Sequence, residues 1–297
     1  MKIIECIPNF SEGRNPEIVE AIVNAAAQVE GVKVLDFSMD SDHNRSVFTF
    51  IGSPEATLRG AIAACDRAAA LIDMRKHTGA HPRIGAVDVV PFVPLEGSDM
   101  SDAVETAHGF GHIFSRKNNV PVYFYGAAAL DQQRKRLADI RRGQYEGLRE
   151  KMSDPAWAPD ISPKGSGFNP RLGATAVGAR KPLIAFNINL NSNNLELARD
   201  IAGSIRHSSG GFKHVQAIGV FLKSRNIAQV SMNLTDYETT SIRTVFDAVT
   251  KKAIKHGIDI LESELIGLIP RGALEGVTAD YLKLLNFSEE RIIESHY

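Results

Sequence analysis

Apolar residues recur along the chain at two spacings, and the switches between them lay out one plan twice. Residues 2–8 read as a short strand, closed by the turn-forming run NFSEGRN. Asn15 then caps a helix with Pro16 at its first position and Ile18, Ile22, Ala25 and Val29 on its apolar face; Gly31 marks the stop. Residues 32–37 form the next strand. A polar turn, SMDSDHN, leads into residues 45–51, where Val47, Thr49 and Ile51 alternate with Ser46, Phe48 and Phe50. Ser53 and Pro54 open a second helix striped by Leu58, Ile62, Cys65, Ala69 and Ile72. A histidine-rich stretch, a strand at 86–93, a helix at 101–116 and a strand at 120–125 follow. Through Val93 the order is βαββαβ, the split or ferredoxin-like unit.

The middle of the chain is different. Residues 132–151 read as one charged helix, and 156–178 as an irregular stretch with the Pro/Gly-rich run PKGSGFNP. The plan then repeats: a strand at 182–190, a helix at 194–207, strands at 214–222 and 228–234, a helix at 239–256 and a strand at 258–266, before a helical terminal region. The expected architecture is α/β (α+β), two tandem βαββαβ subdomains with stacked sheets and outer helices, spanning 1–178 and 179–297. In the second half, Asn187, Asn189 and Asn191 share one strand face, and Gln229, Ser231 and Asn233 another. Asparagine is a poor strand former, so these positions suggest a polar cavity wall.

Composition excludes more than it assigns. The 297 residues are 43% hydrophobic and 23% charged, with a formal net charge of -1. No global field recruits nucleic acid or an anionic membrane, and an anionic ligand must be met by local arginines. Phe48 and Phe50 on one strand face resemble base-stacking aromatics, but no basic aromatic RNP1 pattern accompanies them. Two cysteines, Cys6 and Cys65, make neither a disulfide framework nor a metal cluster. No signal-peptide core or membrane span is read, so a cytoplasmic protein is expected.

The chemistry concentrates in residues 77–85, HTGAHPRIG. Pro82 biases His81 out of the α region, placing the imidazole on a loop or strand entry. Histidine exchanges a proton near neutral pH, and Arg83, two residues on, points to the same side in an extended segment. A proton shuttle beside a fixed cation suits acyl-type transfer on an anionic substrate. His77 and His81 have the spacing of a zinc helix, but Gly79 and Pro82 break a helix and no glutamate completes HExxH; no metal is expected. Asp88 could orient His81 or pair with Arg83. Asn9, Ser11, Gly13 and His43 lie in turns that permit ligand contact.

CIPNFSEGR at 6–14, NRSVFTFIG at 44–52, HTGAHPRIGAVDVVPFVP, GARKPLIAFNINL and AQVSMNLTDYE resemble, in that order, the glutamate formimidoyltransferase family. The resemblance runs from Cys6 to about Leu268 and is to the free-standing form, without the cyclodeaminase fused in animals. It implies transfer of the formimino group from N-formimino-L-glutamate to N5 of tetrahydrofolate as co-substrate, giving 5-formiminotetrahydrofolate and glutamate in histidine breakdown. It also implies stacked subdomain sheets with folate in a charged tunnel, and a homodimer. The family's catalytic histidine falls on His81. Its folate-binding segment falls on Ser162, Pro163, Lys164, Gly165, Ser166, Gly167, Phe168, Asn169, Pro170, Arg171, Leu172 and Gly173, with Asn187 and Asn189 as wall residues. Ser38 stands where animal enzymes carry an acidic residue, leaving Asp40, or Asp42, to support His81. Arg45 and Arg83 are first choices for the substrate carboxylates, Arg171 and Lys181 second. The rival readings are formyl transfer between 5-formyltetrahydrofolate and glutamate on the same site, and a non-catalytic folate- or amino-acid-binding module.

Overall fold

A computed structural model describes residues 2–163 and 167–297. The chain divides into two compact units, Met1–Arg180 and Lys181–Tyr297.

The first unit opens with β1 (Ile4–Cys6) and β2 (Asn9–Phe10), then α1 (Pro16–Ala27), β3 (Lys33–Asp40), β4 (Arg45–Gly52), α2 (Pro54–Leu71) and β5 (Val87–Pro94). The expected first strand is therefore interrupted at Ile7–Pro8, where proline offers no ladder donor. Both pieces lie antiparallel between β4 and β5. With β3 beyond β4, this is the expected split arrangement. Then come α3 (Met100–Asn118), β6 (Val122–Gly126), α4 (Leu137–Arg141), α5 (Gln144–Ser153) and β7 (Thr175–Ala179). The charged stretch is two helices rather than one, separated at Gly143 with φ +86°. The irregular stretch ends in β7, which sequence periodicity missed. TAVGA is buried throughout and runs parallel between β5 and β6. A strand covered on both faces does not alternate.

The helices turn slightly differently from the expected stripes. α1 buries Val19, Ile22, Val23 and Ala26, with Ile18 at the edge. α2 buries Ala61, Ala64, Cys65, Ala68 and Ala69, while Leu58 and Ile62 are only partly covered. Small residues let that helix approach the sheet, where Phe10, Phe48 and Phe50 stack in the core. Phe48 and Phe50 are thus packing residues, not an exposed base-stacking pair. A second apolar cluster joins Ile84, Tyr123, Tyr125 and Ala176 to Ile140 of α4 and Leu148 of α5.

The second unit comprises β8 (Ile184–Leu190), α6 (Leu195–Ile205), β9 (Val215–Leu222), β10 (Ile227–Leu234), α7 (Ile242–Lys255) and β11 (Ile260–Ile266). Its sheet order is β11-β8-β10-β9, all antiparallel. The terminal region forms short 3-10 turns rather than a helix. Among the described residues no helix is long and apolar enough to cross a membrane.

Candidate functional site

Three segments of the first unit meet at the end of the β3–β4 hairpin. The hairpin turns through Asn44, which holds φ at +50°, a conformation asparagine tolerates better than most residues. Its side chain ties the other two segments down: Oδ1 accepts from Gly13 N at 3.0 Å, and Nδ2 donates to Thr78 O at 2.9 Å. The histidine stretch crosses this turn so closely that a Cβ on Gly79 would lie 2.2 Å from His43 O. Residues 77–83 form a loop, as Gly79 and Pro82 require.

His81 is half-buried on that loop and accepts at Nε2 from Arg45 Nη1, 2.5 Å away. A guanidinium only donates, so Nε2 carries the lone pair and the imidazole proton sits on Nδ1. Burial, then the charges of Arg45 and Arg141 and the nearby His43, push the His81 pKa down to about 3. The imidazole is neutral at physiological pH. Phe10, Ser11, His43, Asn44, His77, Arg83 and Asp88 line the same small cavity. Arg45 is half-buried, and this desolvation lowers its own pKa, with Arg141 adding to the effect.

The other expected residues have different duties. Asp40 does not reach His81. Its Oδ2 meets His43 Nδ1 at 2.7 Å, and its Oδ1 accepts from the N–H groups of Asp42 and His43. Burial works against its charge, but the His43 backbone and imidazole outweigh this and hold Asp40 below the usual carboxylate range. Asp40 thus supports a neighbour, with the His43 and His81 rings 6.1 Å apart and edge-on. Asp42 is exposed in the turn.

Asp88 neither orients His81 nor pairs with Arg83. It caps Ile84 N at 2.8 Å and forms an ion pair with Arg141. Its contribution is to fix the loop three residues after His81.

Arg83 lines the cavity, but its fork is filled by this chain's own carboxylate. Nη1 and Nη2 donate to Glu146 at 2.8 and 2.6 Å, and Nε donates to His77 Nδ1 at 3.2 Å. His77 donates from Nε2 to Asn44 O at 2.9 Å, so both of its ring nitrogens are engaged in pinning the loop to the hairpin turn and to Arg83. Glu146 and Arg141 carry no motif or spacing that marks them as site residues. Both lie in the charged helical stretch, where nothing in the pattern distinguishes a paired charge from a solvated one.

The expected folate segment reaches the histidine loop through the backbone. Ala86 N donates to Leu172 O at 2.9 Å, and Ala174 N to Ile84 O at 3.0 Å. Asn169 Oδ1 accepts from Arg171 N and Leu172 N, while Phe168 packs on Tyr145 under the Arg149 guanidinium. Pro170 O accepts from the Tyr145 hydroxyl, and Gly173 has φ +69°. Ser162 and Gly167 are exposed, and Pro163 is half-buried. Lys164, Gly165 and Ser166 lie outside the described residues. Arg171 donates to Ala70 O at 2.6 Å.

In the second unit, Lys181 pairs with Asp236 and Glu238 at 3.0 and 2.7 Å. Asn189 is fully buried on a polar sheet face, donating to Glu262 and Glu264 and accepting from Gln229. Asn187 is half-buried on the same face.

Comparison with known proteins covers both units. The formiminotransferase domain, N-terminal subdomain, matches residues 3–180, and the formiminotransferase domain matches residues 185–295. A glutamate formimidoyltransferase of Streptococcus pyogenes serotype M1 is 42% identical over 99% of this chain and 98% of its own. One from Thermoplasma acidophilum is 43% identical over 99% of this chain and 97% of its own. The formimidoyltransferase-cyclodeaminase of Rattus norvegicus is 44% identical over 98% of this chain, which spans 55% of that longer protein.

Proposed function

The chain belongs to the formiminotransferase family and is a transferase of formimino groups, and from that premise we propose that His81 carries the proton of the transfer. The donor is N-formimino-L-glutamate and the acceptor is N5 of tetrahydrofolate. N5 attacks the amidine carbon, forming one C–N bond and a tetrahedral centre. The N5 proton passes to His81 Nε2. The bond from that carbon to the glutamate nitrogen then breaks, and the departing nitrogen takes the proton back from His81. Atoms and charge balance with one histidine acting first as base and then as acid, a role worth about 10²–10⁴-fold in rate. Holding both reactants together supplies much of the rest.

The observation that carries this reading is a neutral imidazole hydrogen-bonded to a cation with which no carboxylate of this chain forms an ion pair among the described residues, although the charges of Asp88 and Asp40 act on it through space. Arg45 is therefore the receptor assigned to a donor carboxylate, where its planar fork suits the geometry. Arg83, already occupied by Glu146, is assigned to the framework. The folate lies against the segment around Phe168–Gly173, which is joined to the histidine loop by the Leu172 and Ile84 carbonyls.

The test is a transfer assay with purified protein, tetrahydrofolate and N-formimino-L-glutamate, acidified so that the product is read as methenyl-folate absorbance. Product formation is expected. Silence with this donor, together with turnover of N-formyl-glutamate, would replace the reading with formyl transfer.

A further inference from the structure

His81 is not a free base in this structure. The lone pair it would use is held by Arg45. An arginine stays charged at any working pH, so this contact cannot relax by losing a proton. It must relax by exchange.

Arg45 lacks what its neighbours have. Arg83 has Glu146, and Arg141 has Asp88. Asp40 sits opposite Arg45 in the strand register, yet its carboxylate turns to His43 and the turn N–H groups. Asp88 lines the cavity, but Arg141 balances it. Among the described residues no carboxylate of this chain pairs with Arg45. Among the described residues its side-chain hydrogen-bond partner is the neutral imidazole, a weaker acceptor than a carboxylate, which takes two parallel charge-assisted bonds from the fork.

We infer that Arg45 is a specificity-determining residue that couples recognition to release of the base: a donor carboxylate draws its guanidinium from His81 Nε2. This rests on the reading of His81 as proton carrier. A donor without a carboxylate is then slow even when bound, because the base stays capped. The exchange is reversible: when glutamate leaves with its carboxylate, Arg45 returns to Nε2.

The groups facing His81 support the direction of the change. They are Arg45 from β4, His43 from the hairpin turn, Asp88 from β5, Arg141 from α4, and His77 and Arg83 from its own loop, with Asp40 at the end of β3 held behind His43. Asp40, Asp88 and Glu146 already have partners. Neutralising Arg45 removes the largest charge acting on the imidazole after burial itself.

The experiment splits the donor in two. Formamidine supplies the amidine without a carboxylate, and glutarate supplies the carboxylates without an amidine. Transfer from formamidine to tetrahydrofolate releases ammonia and leaves the same folate product. With native protein, saturating glutarate should raise formamidine turnover about tenfold or more, toward the general-base contribution. In Arg45→Ala glutarate should have no effect. A second readout needs no turnover: the His81 ring is followed by NMR against pH, with and without glutarate. Its apparent pKa should rise by about one unit or more on glutarate binding, as a screened neighbouring charge requires. Absence of glutarate stimulation, or an unchanged His81 titration with glutarate bound, overturns the inference. Neither result touches the proton-carrier role, which is decided by variants of His81. The titration uses native protein, so it decides the matter even if Arg45→Ala does not fold.

Discussion

Arg83 and Glu146 meet through two parallel hydrogen bonds, although one side chain is 7% exposed and the other 64%. The pair closes α5 over the histidine loop. Glu146→Ala strips the partner from a buried cation, but water reaches much of the vacated site. The cost should be about 1–2 kcal/mol, below the roughly 3–5 of a fully buried pair. Thermal unfolding should shift down by about 2–6 °C, with KM for the formimino donor unchanged. A changed KM at constant Tm would give Arg83 back its place as a substrate anchor.

Asp88 is the buried partner of Arg141 and the cap of Ile84 N. Asp88→Ala leaves a guanidinium uncompensated and should cost about 3 kcal/mol or more. Asp88→Asn keeps an acceptor for Ile84 N–H and should recover part of that loss. Urea unfolding separates the two. Equal stability of the alanine and asparagine variants would show that the loop cap contributes little.

Gly79 has no room for a side chain, since its added Cβ would meet the His43 carbonyl and the Asn44 side chain. The nearest obstacle is backbone, so either the loop or the hairpin turn must move. Gly79→Ala should therefore misplace His81. A displacement of about 1 Å at a reacting group costs on the order of 100-fold, and a fall of that size in kcat is expected. Unaltered kcat would mean that the loop sets no catalytic geometry.

Stability should depend on pH through His81. The unfolded histidine binds its proton near 6.5, whereas the folded one waits until about 3. Between these values the unfolded chain holds more protons, so stability falls as pH falls through the window. His77, depressed mainly by burial, adds in the same direction. His81→Gln removes one of the two contributions. Urea unfolding at several values between pH 6.5 and 4.5 should give a shallower slope for the variant. Parallel slopes would place the His81 pKa near its ordinary value.

Much of this arrangement was legible in the sequence. Pro82 and Gly79 made the histidine stretch a loop, Asn15 and Ser53 marked helix starts with a proline after each, and alternation at 45–51 set the strand carrying Arg45. The βαββαβ order, read twice along the chain, matches the strand orders of the two sheets. What stayed hidden was the pairing of charges over long separations. Arg83 finds Glu146 and Asp88 finds Arg141 only after α4 and α5 fold across the sheet. The fully buried β7 was hidden for another reason: a strand covered on both faces and built of small residues carries no period. Asp40 shows the limit of placing a carboxylate by proximity in sequence, because the nearest histidine, His43, claims it first.

The most direct measurement is steady-state transfer from N-formimino-L-glutamate to tetrahydrofolate by native protein and His81→Ala, with free imidazole added to the variant. If His81 carries the proton, kcat falls about 10²–10⁴-fold, KM moves little, and imidazole restores part of the rate. A variant whose kcat stays within about twofold of native, far short of a general-base loss, would contradict the mechanism and assign proton transfer elsewhere.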